Sequence, residues 1–179
     1  INNQGKSHEI DFNIDAIIYA ITSANHSNTR RNPVSFYLRA MMLQSFSENL
    51  NTPVYIYGIN DVGHLDNFAE YTLKCIEHLS DYMLDITPEN TLVLCSTKVL
   101  EMYKDLGFNI LPCELENHDN WKYKTMLPWE LVEKIASNKK NENHDIINKK
   151  VHKSCLKMYS LYNLSNRIQT LFNDDMIGD

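Results

Sequence analysis

Hydroxyl, amide and guanidinium groups crowd into one short stretch of the chain. From Thr22 it reads Thr-Ser-Ala-Asn-His-Ser-Asn-Thr-Arg-Arg, and Asn32-Pro33 closes the run with a turn. Arg30 and Arg31 beside Thr22, Ser23 and their neighbours suit a phosphate, because each guanidinium presents a planar fork of donors. Arg39 follows within the next element. Two later loops add polar groups. Asp61 can accept hydrogen bonds from a nucleotide, or it can simply complete an Asn60-Asp61 turn. Ser96 and Thr97, ahead of Lys98, either face a ligand or cap a helix. His64, flanked by Gly63 and Asp66, could bind phosphate or metal, and its plainer reading is a solvated loop histidine.

Each of these loops follows an apolar run. Residues 16–21, 54–59, 91–95 and 108–111 are short and rich in β-branched, aromatic or leucine side chains, which predicts buried strands. Helical periodicity fills the gaps between them. Ser35 is a fitting N-cap for a helix carrying Phe36, Leu38, Met41, Met42 and Phe46, with Arg39 near its start. A second helix is expected over 67–84, a third over 99–106 with Gly107 as its C-cap, and a fourth from Pro128 through Leu131, Val132 and Ile135. Strands alternating with helices predict an α/β fold: one parallel sheet of four strands with crossover connections. Ligands of such sheets sit at the carboxyl ends of the strands, where the polar loops fall.

The stretch Ile-Ile-Tyr-Ala-Ile-Thr-Ser-Ala-Asn-His-Ser-Asn-Thr-Arg-Arg-Asn-Pro-Val-Ser-Phe-Tyr-Leu-Arg resembles the second-strand region of the nucleotidylyltransferase superfamily. Its nearest likeness is to archaeal-type nicotinamide-mononucleotide adenylyltransferases. Thr22-Ser23-Ala24, Asn32-Pro33 and Arg39 stand where those proteins have a small-residue triplet, Asn-Pro and a phosphate-facing arginine. Leu38 stands where the family usually has Glu. The resemblance implies a Rossmann-like domain over 1–137. It also implies that Arg39 holds a phosphate with Arg30 or Arg31 assisting, and that Asp61 and Phe68 hold the acceptor nucleotide. Ser96 and Thr97 would meet the base edge, and Thr125 would open a phosphate-cradling helix. Mg²⁺ would come with ATP.

The likeness has two gaps. The family's His-x-Gly-His motif is matched only by Gly5-Lys6-Ser7-His8, where His8 alone would correspond. Its late arginine is absent, leaving Lys122 or Lys124 as a point charge. The alternative reading of His8 is an unstructured arm.

A net charge of −6 over 179 residues argues against general nucleic-acid binding and leaves room for a local phosphate pocket. No apolar run approaches the roughly 20 residues that span a bilayer, so no membrane partner is expected. Cys75, Cys95, Cys113 and Cys155 are widely spaced, which reads as buried thiols in a reducing compartment and a cytoplasmic location. The opening residue, Ile1, reads as the start of a fragment or processed product. Residues 138–150 read as a linker or exposed loop. The tail over 145–172 has Ile146, Val151, Cys155, Met158, Leu161, Leu164, Ile168 and Leu171 at helical spacing, a C-terminal helical extension within 138–179. It would pack on the domain or on a partner.

Two functions follow as expectations. One is an adenylyltransferase of NAD biosynthesis, moving the adenylyl group of ATP to a phosphate acceptor such as nicotinamide mononucleotide, with a homo-oligomer permitted. The other is a catalytically degenerate module that binds a nucleotide or a protein.

Overall fold

β-Branched and aromatic side chains dominate Ile17–Ile21 (β1) and Val54–Gly58 (β2), and the two segments form a parallel ladder. Ile17 lies opposite Val54, and Ile21 opposite Gly58. Parallel neighbours need a crossover, which the helix Phe36–Ser47 (α1) provides. This helix is apolar on nearly every side. Leu38 is buried while Tyr37 and Met41 are exposed, and α1 packs on both strands as well as on a later helix. Ser35 stands at its N-cap in an extended conformation without a side-chain capping bond.

The computed structural model describes residues 13–95, 97–112, 128–137, 145 and 147–175. They fall into two compact units, one made of those within 14–61 and 126–179, the other of Asn13 and those within 62–125. The first unit holds β1, β2 and α1. It also holds the helices Pro128–Ser137 (α4), Lys153–Leu161 (α5) and Leu164–Asn173 (α6). Ile135 and Ile168 are fully buried and meet Ile147, with Leu131, Tyr159 and Phe172 packed around them. Fully burying one such aliphatic side chain is worth about 1.5–3 kcal/mol, so this cluster is what holds α4 to α6. At the head of α5, His152 Nδ1 accepts the Ser154 N–H at 3.2 Å, and its ring stands edge-on to Phe46 of α1 at 5.0 Å. The C-terminal helices therefore belong to the same unit as β1 and β2.

In the second unit, Phe68–Leu79 (α2) precedes Leu92–Cys95 (β3), Thr97–Asp105 (α3) and Asn109–Pro112 (β4). β3 and β4 are parallel, with Leu92 opposite Asn109. The core is Ala69, Tyr103 and Phe108, the two rings meeting edge-on at 6.1 Å. Gly107, with φ +88°, ends α3 as its spacing predicts, and the N–H of Phe108 returns to the carbonyl of Tyr103.

All ladders among the described residues are parallel, which makes the chain a mixed helix and strand protein with small parallel sheets flanked by helices. The expected single sheet of four strands is seen as two ladders of two. Helix α2 also stops earlier than its periodicity suggests. Asp81 and Tyr82 both take left-handed backbone (φ +51° and +60°), and the N–H of Tyr82 turns back to the carbonyl of Glu77. Met83, counted as a helix position from the sequence, lies outside the helix and is exposed. Among the described residues, no helix is long and apolar enough to cross a membrane. Cys75 and Cys155 are half-buried free thiols; Cys113 and the side chain of Cys95 lie outside the described residues.

Candidate functional site

The ladder of β1 and β2 does not stop where the strands do. The N–H of Ile59 donates to the carbonyl of Ile21 at 2.8 Å, and the N–H of Ala24 donates to the carbonyl of Ile59 at 3.0 Å. Asn25 then takes over with its side chain. Its Nδ2 donates to the carbonyl of Asp61 at 2.9 Å, and its Oδ1 accepts the N–H of Asp61 at 2.7 Å. A carboxamide has the same donor and acceptor as a peptide group, so Asn25 extends the pairing beyond the backbone. The loops after the two strands thus form one stitched crest.

Gly58 makes this closeness sterically feasible. A Cβ there would lie 2.8 Å from the Cβ of Ala24 and 2.9 Å from Cε2 of Phe36. Ile59, next in the chain, is fully buried and anchors the crest from below.

Arg39 secures the other side. From α1 it donates through Nη1 to the carbonyl of Thr22 and through Nη2 to that of Ser23, each at 2.8 Å. Its Nε is buried and makes no hydrogen bond. Burial lowers the guanidinium's pKa from its ordinary value, yet an arginine stays charged in proteins. Ser23 takes left-handed backbone, φ +53°, which turns its carbonyl and that of Thr22 into the reach of one fork.

Beyond the crest the loop reaches the last helix. Arg30 donates through Nη2 to the carbonyl of Asp174 at 3.2 Å and through Nε to that of Leu171 at 3.5 Å. Those carbonyls belong to the C-terminal end of α6, where intrahelical partners run out and the helix dipole is negative. From α6, Arg167 answers with Nε and Nη2 both donating to Oδ1 of Asn28, the Nε contact at 2.9 Å. Asn28 is itself left-handed, φ +59°. A tight turn follows, in which the N–H of Asn32 donates to Oγ1 of Thr29 at 2.9 Å. Arg31, His26 and Ser27 are exposed.

Thr22, Ser23, Arg30, Arg31, Arg39 and Asp61 therefore share one unit, and the crest gathers Thr22, Ser23, Arg39 and Asp61 directly. Two of the three arginines have their forks turned to backbone carbonyls. Phe68 opens α2 in the other unit, its ring 6.4 Å from Tyr71. Thr97 begins α3, and its side chain lies outside the described residues. His8, Ser96, Thr125, Lys122 and Lys124 also lie outside them. His64 is exposed and meets Asp66 at 3.1 Å.

Sequence reasoning passed over Asn25, Asn28, Gly58 and Arg167. A glycine ending a strand just before a polar loop was a usable signal for Gly58. Nothing local marks Arg167, whose partner is 139 positions away.

No protein-family model and no curated protein matches this chain.

Among the described residues, no group of three or more His, Cys, Asp or Glu side chains is placed to hold a metal ion. An open polar depression runs along α6, lined by Asn166, Gln169, Thr170, Asn173, Asp174 and Asp175. It lacks the crest residues, so its polarity says nothing about the strand ends.

Proposed function

We propose that this chain is a nucleotidyltransferase-like protein that binds ATP through its phosphates at the carboxyl ends of β1 and β2. The observation that supports this is the crest itself. Two loops at the ends of parallel strands are stitched into one surface by Asn25 and Arg39, in the position where open α/β sheets take ligands. Thr22 and Arg31 are exposed there or next to it, and the half-buried charge of Arg39 biases the crest toward an anion. The ordered sequence from Thr22-Ser23-Ala24 through Asn32-Pro33 to Arg39 gives the same reading by resemblance.

Chemically, an acceptor phosphate such as that of nicotinamide mononucleotide would attack the α-phosphorus of ATP. The bond to the β-phosphate would break and pyrophosphate would leave. Mg²⁺ bound to the triphosphate would supply charge neutralisation. The protein's own part would be to position the phosphates and offset charge. Losing one transition-state donor costs roughly a hundred- to a thousand-fold in rate. Residues 1–179 offer only His8 for the paired histidines and lysines for the late arginine, so adenylyl transfer by these residues alone is expected to be slow.

A second reading, a nucleotide-binding module without turnover, is favoured by one observation. Arg30 and Arg39, two of the three guanidinia expected to meet phosphates, already serve backbone carbonyls.

Calorimetry with ATP and Mg²⁺, paired with a pyrophosphate-release assay in the presence of nicotinamide mononucleotide, tests both. Binding with slow release is expected. No heat of binding would sink the nucleotide reading, and rapid turnover would show that His8 has a partner in catalysis.

A further inference from the structure

We propose that α6 is a clamp on the loop after β1, with Arg167 as the positioning residue that keeps the crest in its ligand-facing form. Two contacts run in opposite directions between the same pair of segments. Arg167 reaches from the helix to Oδ1 of Asn28, while Arg30 reaches from the loop to the carbonyls of Leu171 and Asp174. The carbonyls stand at the C-terminal end of the helix, and Asn28 sits in a left-handed conformation that a flexible loop would leave readily. Arg30 meets the C-terminal end of α6, where the helix dipole favours positive charge.

The helix is a firm base for such a clamp. Leu164 and Ile168 are fully buried and Leu171 nearly so, which ties α6 to α4 and α5 while its other side meets the loop. The loop has little anchoring of its own between Asn25 and Asn32. Its own bonds are short-range: a turn closed by His26 N–H to the Ser23 carbonyl and another between Thr29 and Asn32. Holding α6 down therefore fixes the loop, and loosening it frees Arg30 and Arg31 to move. The C-terminal segment, which looks like an appendage in sequence, controls the shape of the crest. Its consequence for ligand affinity rests on the nucleotide reading; the clamp itself does not.

Amide hydrogen exchange on the full chain separates the two. Arg167→Met keeps the aliphatic stem and removes the donors. It should raise exchange at Thr29 and Asn32 by about tenfold or more, the order expected when charge-assisted hydrogen bonds are lost. The amide of Ile59, bonded to Ile21 in the strand ladder, should stay protected. Asn28→Asp keeps the acceptor, tolerates the left-handed backbone and adds charge opposite Arg167, so it should slow exchange at the same amides. ATP affinity should fall in the first variant and hold or rise in the second, because preorganisation changes while no ligand contact is removed. Unaltered exchange at Thr29 and Asn32 in both variants overturns the clamp. Should Arg167→Met lose α6 altogether, Asn28→Asp decides, since it removes no contact: slowed exchange supports the clamp and unchanged exchange overturns it. Absence of ATP binding to the parent chain would remove the nucleotide reading and leave the exchange result standing.

Discussion

Arg39 grips the backbone of the loop it was expected to share with a ligand. Its Nη1 and Nη2 each donate at 2.8 Å, to the carbonyls of Thr22 and Ser23. One cation therefore does two jobs: it fixes the loop's course and leaves positive charge at the strand ends. Arg39→Ala removes both bonds and should destabilise the chain by about 1.5–3 kcal/mol, the range for hydrogen bonds to charged groups. Arg39→Lys should recover only part of this, because an ammonium cannot reproduce the fork. Urea unfolding monitored by circular dichroism checks both, and equal stability of all three proteins would show that the fork is idle.

Asn25 should tolerate no close analogue. Aspartate keeps an oxygen for the N–H of Asp61 but loses the donor to its carbonyl, setting a carboxylate against that oxygen. Asn25→Asp is expected to cost about 0.5–1.5 kcal/mol, the net worth of a hydrogen bond where water can take up the freed carbonyl. Asn25→Ala should cost a similar amount without the repulsion. A thermal melt in which Asp at this position matched Asn would contradict the paired geometry.

At Gly58 a single methyl group is the test. The ring of Phe36 can swing away, but Ala24 offers only a Cβ fixed to backbone, so the clash at 2.8 Å moves the crest itself. Gly58→Ala should lower stability by about 1–3 kcal/mol, as overpacking does. The double variant Gly58→Ala with Ala24→Gly should regain most of it. Failure of that rescue would place the strain elsewhere.

Tyr159 sets an alkaline limit. Burial first, then the neighbouring Cys155, pushes its phenol from 10.0 up to about 12. The folded state thus prefers the neutral ring. Its contribution is fully present below pH 10 and is lost as pH rises from about 10 to 12, by at most about 3 kcal/mol. Tyr159→Phe should flatten stability across that window while changing little near neutrality. Base titrations of the two proteins that run parallel would refute the assignment.

Local sequence determined a good deal here. Short β-branched runs bounded by polar residues gave β1, β2, β3 and β4 to within a residue or so, because alternation between buried strand and solvated loop is written in the residues themselves. Gly107 ended its helix for the same local reason. Parallel pairing was legible too, since each neighbouring pair has a helix between its members.

What periodicity cannot carry is the identity of a partner. It reports whether a side chain is buried, not against what. That two ladders form rather than one depends on which strand edges meet, a property of the folded chain. Thr22–Arg31 looked like an open cluster of phosphate ligands. Tertiary structure turned Arg39 onto carbonyls 17 and 16 positions back, and Arg30 onto carbonyls 141 and 144 positions ahead. A guanidinium binds a carbonyl oxygen by the same geometry with which it binds a phosphate oxygen. Residue type therefore named the chemistry of these guanidinia, and only the packing of α1 for Arg39 and the return of the last helix for Arg30 decided which oxygens would use it.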